Sequence, residues 1–225
     1  VYKSFSLGIG KDGLAGYPLI DVYLTGKELK LAAEVDASVS DFMTTARLYC
    51  SGLNFTFNPH RMILNKVTDC YLTREDGERI EIQDDQLYRV VTDLYTGQML
   101  GSVMEMSYGL LKIEPKDKDG NPIENLEDQA IMEGDKELKA WDAIARYMKS
   151  FDDTDGNGIS NVPEYYETTH GRKVVDESRN VIDLVKNPNK FSVMIVGIVL
   201  VLILIIILLV VLIRKLIKKR RRKKK

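Results

Sequence analysis

The hydrophobic positions of this chain change rhythm several times, and one run has no rhythm at all. After an opening strand-like segment and a Gly-rich turn through Gly8, Gly10, Gly13 and Gly16, Leu19 to Leu24 alternates apolar and polar residues and predicts a strand. Thr25-Gly-Lys-Glu28 has the form of a capping box, in which hydroxyl and carboxylate exchange hydrogen bonds with each other's amides. It predicts a helix to about Asp36, with Leu29, Leu31, Ala32, Ala33 and Val35 as its apolar side. A short polar helical stretch, Val39 to Ala46, leads into a strand predicted over Leu48 to Phe57, with Leu53, Phe55 and Phe57 on one face. Asn58 to Arg61 turns the chain, and Val67 to Thr73 is predicted to return antiparallel. Glu75-Asp-Gly-Glu78 reads as a tight hairpin, followed by strands over Arg79 to Ile82 and Leu87 to Asp93. Tyr95 to Leu111 shows no deciding period, and Pro115 to Pro122 is a surface turn. Lys136 to Phe151 predicts an amphipathic helix. Leu138, Trp141, Ile144, Ala145, Met148 and Phe151 line its apolar face, with Lys136, Lys139, Arg146 and Lys149 opposite. Trp141 is read as a core residue.

Phe191 to Ile213 breaks every amphipathic pattern, because Ser192 is its only polar side chain and it carries no charge. At about 1.5 Å per residue it covers the roughly 30 Å hydrocarbon core of a bilayer, so it predicts a transmembrane helix. The tail from Arg214 to Lys225 is basic everywhere except Leu216 and Ile217, which places it on the cytoplasmic side beside anionic headgroups. The large N-terminal part is then expected outside a cell membrane crossed once, and we expect a bacterial source.

Charge sharpens that division. The tail holds ten of the 32 Lys and Arg, so residues 1–190 carry 22 basic and 33 acidic side chains. An acidic domain of this kind has no electrostatic footprint for nucleic acid, and the tail next to a membrane span has lipid as its expected partner. Cys50 and Cys70 lie on neighbouring strand-like runs, where either a disulfide or two separate buried thiols is open. Val1 is not an initiator Met, and no basic-then-apolar signal peptide follows it. An exported domain with a cytoplasmic C-terminus normally needs one, so the sequence is expected to be the C-terminal part of a longer protein.

Few residues suggest chemistry of their own. His60 and His170 have no partner at metal-ligand or triad spacing and read as surface histidines. No G-x-S-x-G, P-loop or H-E-x-x-H occurs. The sharpest local motif is Asp153-Thr-Asp155-Gly-Asn157-Gly158-Ile159, continuing to Glu164, which fits the calcium-loop pattern D-x-[DN]-x-[DN]-G-x5-E. Oxygens of Asp153, Asp155 and Asn157, the carbonyl of Ile159 and the Glu164 carboxylate would suit a hard cation. A solvated Asp/Asn/Gly turn needs no ion and is the alternative.

Four short stretches in order carry a resemblance. They are Tyr17-Pro-Leu19 with Val22 to Lys30, Ser51 to Pro59, Asn65-Lys-Val67, and Leu87 to Thr92. Their succession resembles the C-terminal domain of the 5′-nucleotidase family. The resemblance implies a two-domain periplasmic or cell-surface hydrolase, whose N-terminal domain holds a Zn- or Mn-type metal pair that activates water against a phosphate. The motifs of that metal domain (D-x-H, G-D-x-x-D, G-N-H-E, G-H-x-H) are absent here, so the pair is expected only in sequence upstream. The C-terminal domain of the family grips the nucleoside between two aromatic rings. The family's N-x-x-x-x-G-G-D-G-F loop is replaced here by Thr92 to Gly101. Tyr49 and Tyr95 are the residues nearest the two ring positions and are the candidates for such a clamp.

The expected fold is α+β: a mixed or antiparallel sheet with packed helices, like a 5′-nucleotidase C-terminal domain, plus one transmembrane helix. The expected organisation is that domain over residues 1–115, a helical appendage with the possible calcium loop over 116–175 and a juxtamembrane linker over 176–190. A span over 191–213 and a basic tail over 214–225 complete it. The expected function is the substrate-recognition part of a membrane-anchored extracellular nucleotidase, with the nucleotide as partner of the full-length protein. The alternative is a non-catalytic cell-surface protein that keeps the fold for binding or scaffolding.

Overall fold

The computed structural model describes residues 7–40, 42–43, 47–107 and 109–222. The chain divides into two compact units, residues 1–33, 48–55 and 70–173 in the first and 34–47, 56–69 and 174–225 in the second. The strand expected at the extreme N-terminus and most of the polar stretch Val39 to Ala46 fall on or beside residues outside the described set.

In the first unit the chain is built around β1, Leu19–Thr25, whose side chains alternate between buried and half-buried. Ile20, Val22 and Leu24 point inward and are almost fully buried, each contributing on the order of 1.5–3 kcal/mol. On one side β1 pairs antiparallel with β5, Leu87–Asp93, from Leu19 opposite Asp93 to Thr25 opposite Leu87. On its other side single bridges join Pro18 to Lys139, Ile20 to Ala130 and Tyr23 to Lys116. Helix α1, Gly26–Val39, starts at the predicted capping box. The Thr25 amide donates to Glu28 Oε2 at 2.8 Å, and the Glu28 amide returns to Thr25 Oγ1 at 3.3 Å. Leu24, Leu29, Ala32 and Ile113 form one core cluster, and Ile20, Val22 and Leu94 form another.

The ordered strands β2, Leu53–Phe57, β3, Val67–Thr73, and β4, Arg79–Glu81, follow the predicted hairpins. Together with β8, Lys173–Val175, they form a four-stranded sheet in the order β4-β3-β2-β8. The predicted strand from Leu48 begins only at Leu53, after a turn in which Gly52 takes φ +85°. β8 had no visible sequence signal: three residues are too few to show a period.

Two elements differ from the expectation. The stretch that gave no period is helix α2, Leu94–Met106, capped by Asp93, whose carboxylate accepts from the Thr96 amide at 2.9 Å and from the Thr96 hydroxyl at 2.7 Å. Gly97 obscured it in the sequence but serves packing, since a Cβ there would stand 2.6 Å from Ile20 Cδ1. The second is the helix predicted from Lys136. Lys136–Glu137 is instead a short strand, β7, paired with β6, Met132–Glu133, and the helix α3 runs only over Ala140–Lys149. Lys139, placed by helical spacing on the solvent face, is 2% exposed and sits between two carboxylates. Trp141 is half-buried, with its indole N–H donating to the Ala15 carbonyl at 3.0 Å.

In the second unit the C-terminal half of α1 supplies a buried carboxylate. Glu34 accepts from the Ser38 hydroxyl at 3.0 Å and from the amides of Lys66 and Val67 at 2.5 and 2.9 Å. Val181–Val185 forms a short helix, α4, and Lys190–Arg222 one long helix, α5. From Val193 to Ile213 the side chains of α5 are largely exposed. Lys190 to Lys219 is long and apolar enough to cross a membrane.

Candidate functional site

Tyr49 lies just before β2 and is 86% exposed. The Lys173 ammonium stands 5.3 Å from its ring centroid and 5.7 Å from that of Phe55. An exposed cation–ring contact of this kind contributes about 0.5–1 kcal/mol and leaves the ring available for stacking. Tyr95 occupies the first turn of α2, fixed there by the Asp93 cap, and is 43% exposed. Its ring neighbours Tyr17, with centroids 5.7 Å apart and planes tilted by 35°. The sequence brought Tyr49 and Tyr95 forward as a pair. The structure gives each a partner of its own, Lys173 and Tyr17, and neither partner was singled out from the sequence. Tyr17 was within reach, because it opens the first of the stretches that carry the family resemblance.

Two polar knots lie elsewhere in the first unit. Glu28 takes the Lys116 ammonium at 2.6 Å and the Glu114 amide at 3.1 Å on the oxygen its capping box leaves over. Burial pushes the Glu28 carboxyl up, but Lys116 and the Thr25 donors outweigh it and hold the group below its usual range. Asp12, Glu137 and Lys139 form the second knot, with Lys139 Nζ 2.8 Å from Asp12 and 2.6 Å from Glu137. Lys139 holds the Asp12 carboxyl below its ordinary value. Burial alone would lower the Lys139 ammonium, and the two carboxylates raise it beyond its ordinary value instead. On the edge of β1, Asp21 takes the Arg89 guanidinium at 2.6–2.9 Å, which raises the Arg89 pKa.

The Asp153 loop closes on its own backbone. Asp153 accepts from the amides of Gly156 and Gly158 at 2.8 Å each and of Asn157 at 3.1 Å. The Gly158 amide leads in holding its carboxyl below the ordinary value. Asp155 accepts from the Asn157 amide and side chain, Asn157 from the amide of Ile159, and Gly156 and Gly158 both take left-handed φ. Glu164 begins a 3₁₀ turn, Glu164–Glu167. Among the described residues no three His, Cys, Asp or Glu side chains gather about one point. Calcium at this loop is therefore a proposal with a structural requirement: Glu164 must close onto Asp153 and Asp155. Around the loop, Tyr147, Phe151, Tyr165, Tyr166 and His170 pack as an aromatic cluster, with His170 stacked on Tyr165 at 3.7 Å. His60 is exposed, as expected, and its amide donates to Asn58 Oδ1. Cys50 and Cys70 are both half-buried thiols.

The family model described as 5′-nucleotidase, C-terminal domain, matches residues 15–106. This segment has the fold of a 5′-nucleotidase C-terminal domain. The match spans β1 to α2 and so contains Tyr17, Tyr49 and Tyr95 as well as all four stretches of the resemblance. Among solved structures the chain is similar to the 5′-nucleotidase precursor from Thermus thermophilus, at 17% identity and a TM-score of 0.47, over 72% of this chain and 26% of that one. It is also similar to the NAD nucleotidase of Haemophilus influenzae, at 20% identity and a TM-score of 0.32, over 45% of this chain and 19% of that one. The chain thus spans about a quarter or less of the length of these two proteins. No curated protein matches it.

Proposed function

We propose that this chain is the substrate-recognition part of a membrane-anchored, extracellular 5′-nucleotidase, with phosphate hydrolysis carried by sequence outside these residues. The observation that carries the reading is the nucleotidase-type domain over residues 15–106. In this proposal the exposed Tyr49 ring, with Lys173 beside it, and the Tyr95 ring, with Tyr17 beside it, offer π-faces to a nucleobase. The Lys173 ammonium adds a cation for the phosphate. The helix Lys190–Lys219 supports anchoring, and the basic residues that follow Ile213 support a cytoplasmic tail on anionic lipid.

The test is to express the coding sequence that extends upstream of Val1 and assay release of phosphate from nucleoside 5′-monophosphates with Mn or Zn. Hydrolysis by the longer protein, and background only from residues 1–225, is the expected result. An upstream sequence without D-x-H and G-N-H-E, and no turnover, would refute the enzyme and favour the non-catalytic binding protein.

A further inference from the structure

The segment before the long helix α5 reads from sequence as a polar linker, but its side chains and carbonyls are tied down. Arg61 is buried, and its guanidinium donates to the carbonyls of Asn65 at 2.7 Å, Asp183 at 2.5 Å and Lys186 at 2.6 Å. The last two are carbonyls at the end of α4, which a helix of five residues cannot satisfy from within. Asn58 Nδ2 donates to the Ser178 carbonyl at 2.7 Å. Asn189 caps α5 by accepting from the amides of Phe191 and Ser192 at 3.0 Å each, and its Nδ2 donates to the Leu64 carbonyl at 2.5 Å. Among the described residues the non-glycine positions with left-handed φ are Leu64 at 60° and Asn187 at 52°, both inside this clasp. Phe191 and Ser192 are buried, so the apolar part of α5 starts against protein and becomes exposed from Val193.

What the clasp holds outward is apolar. Val181, Ile182 and Val185 of α4 are 71%, 69% and 65% exposed, while Asp183 turns away to take the Ser178 hydroxyl at 2.6 Å. Ile63, beside the Leu64 that Asn189 grips, is also exposed. A five-residue helix spends binding energy from Arg61 to present three aliphatic side chains to solvent. They lie five to nine residues before the apolar helix begins, and the chain between Val185 and Lys190 reaches at most about 17 Å. Exposed Lys186 and Lys190 lie between these side chains and the apolar part of α5.

We propose that α4 is a membrane seat. Val181, Ile182 and Val185 enter the interfacial zone of the same bilayer that α5 crosses, and Arg61 fixes them there. Lipid is the occupant because Arg61 and Asn189 tie these exposed aliphatic side chains within five to nine residues of the start of α5, close to the surface of the bilayer that α5 would cross. The inference rests on the reading of Lys190–Lys219 as a membrane span.

The experiment uses the full chain in phospholipid vesicles, with Cys50→Ser and Cys70→Ser as background and a nitroxide at Ile182→Cys, Val185→Cys or Leu204→Cys. Collision rates with oxygen and with a water-soluble nickel chelate report depth. The expected result is oxygen-dominated collisions at Leu204, and oxygen in excess of nickel at Ile182 and Val185. Adding Arg61→Gln should return the Ile182 label to nickel. Nickel access at Ile182 with oxygen alone at Leu204 would overturn the seat and leave the span standing. Nickel access at Leu204 would overturn the span itself. Shielding of Ile182 from both reagents would mean a protein cover, such as a second copy, and would overturn lipid as the occupant. An Ile182 signal unchanged by Arg61→Gln would overturn the role of the clasp.

Discussion

Lys139→Met removes the cation from a site built around it. Lys139 Nζ touches Asp12 and Glu137, and both carboxylates have further work: Asp12 accepts from the Leu14 and Glu137 amides, and Glu137 from the Lys11 amide. Gly10 packs so closely that a Cβ there would lie 1.9 Å from Glu137 Oε2, leaving no room for a replacement water or ion on that side. Methionine keeps the unbranched stem of the lysine but leaves two carboxylates facing each other without a counter-charge. Orphaning one side of a buried pair costs about 3–5 kcal/mol, a large share of the roughly 5–15 kcal/mol that holds a typical domain. Urea unfolding of the full chain in detergent, followed by Trp141 fluorescence, reads the loss as a lower midpoint. The sign of its pH dependence identifies the cause. In the variant, burial and the neighbouring carboxylate push the Asp12 carboxyl up, so the deficit is largest at pH 7 and shrinks as acid protonates it. Adding Asp12→Asn and Glu137→Gln to Lys139→Met should recover much of the loss. A midpoint within about 1 kcal/mol of the parent at pH 7, or a deficit that grows in acid, would refute the reasoning.

Other perturbations separate local causes. A Cβ on Gly26 would meet the Gln83 backbone oxygen at 2.1 Å, whereas one on Gly97 meets the movable tip of Ile20 at 2.6 Å. Gly26→Ala should therefore cost more than Gly97→Ala, within an overpacking range of about 1–3 kcal/mol, and equal midpoints would contradict the packing described. Asp12 and Glu28 have folded-state values below their ordinary 3.8 and 4.5, so their contribution is complete above those values and is lost as pH falls through the folded ones. Lys139 is raised above 10.5, so its contribution is complete below that value and fades in stronger alkali. A pH scan of the urea midpoint should show a plateau between these limits with a fall on each side. At the Asp153 loop, millimolar calcium should raise the melting temperature and Asp153→Ala should abolish the rise; a flat titration of the parent chain would remove the site.

Where a signal was local, the sequence was readable. Thr25 and Glu28 are three residues apart and exchange the hydrogen bonds their spacing predicts, and Leu87 to Asp93 is a strand with the predicted ends. Readings failed where a distant partner decides. Lys139 sits on the polar side of a helical wheel, yet Asp12, 127 positions away, draws it inward and ends the helix pattern before Ala140. Arg61 looks like part of a turn until its carbonyl partners, 122 and 125 residues later, come into reach. Helix α2 is hidden for another reason: Gly97 and Gly101 lower helix propensity, and Asp93, which caps it, is also the last residue of β5. Of the candidate clamp, Tyr49 and Tyr95 are legible from the resemblance, which also contains Tyr17, whereas Lys173 reaches Tyr49 only through the fold, 124 positions along the chain.

In the proposed function, residues 15–106 hold a nucleotide by its base. Saturation-transfer NMR on the full chain with millimolar adenosine 5′-monophosphate tests it directly, because that method detects weak binding. The expected result is strongest transfer to the base protons, reduced by Tyr49→Ala and by Tyr95→Ala in chains that keep the parent urea midpoint. Absence of transfer to a folded parent chain, or transfer that neither substitution alters, would contradict it.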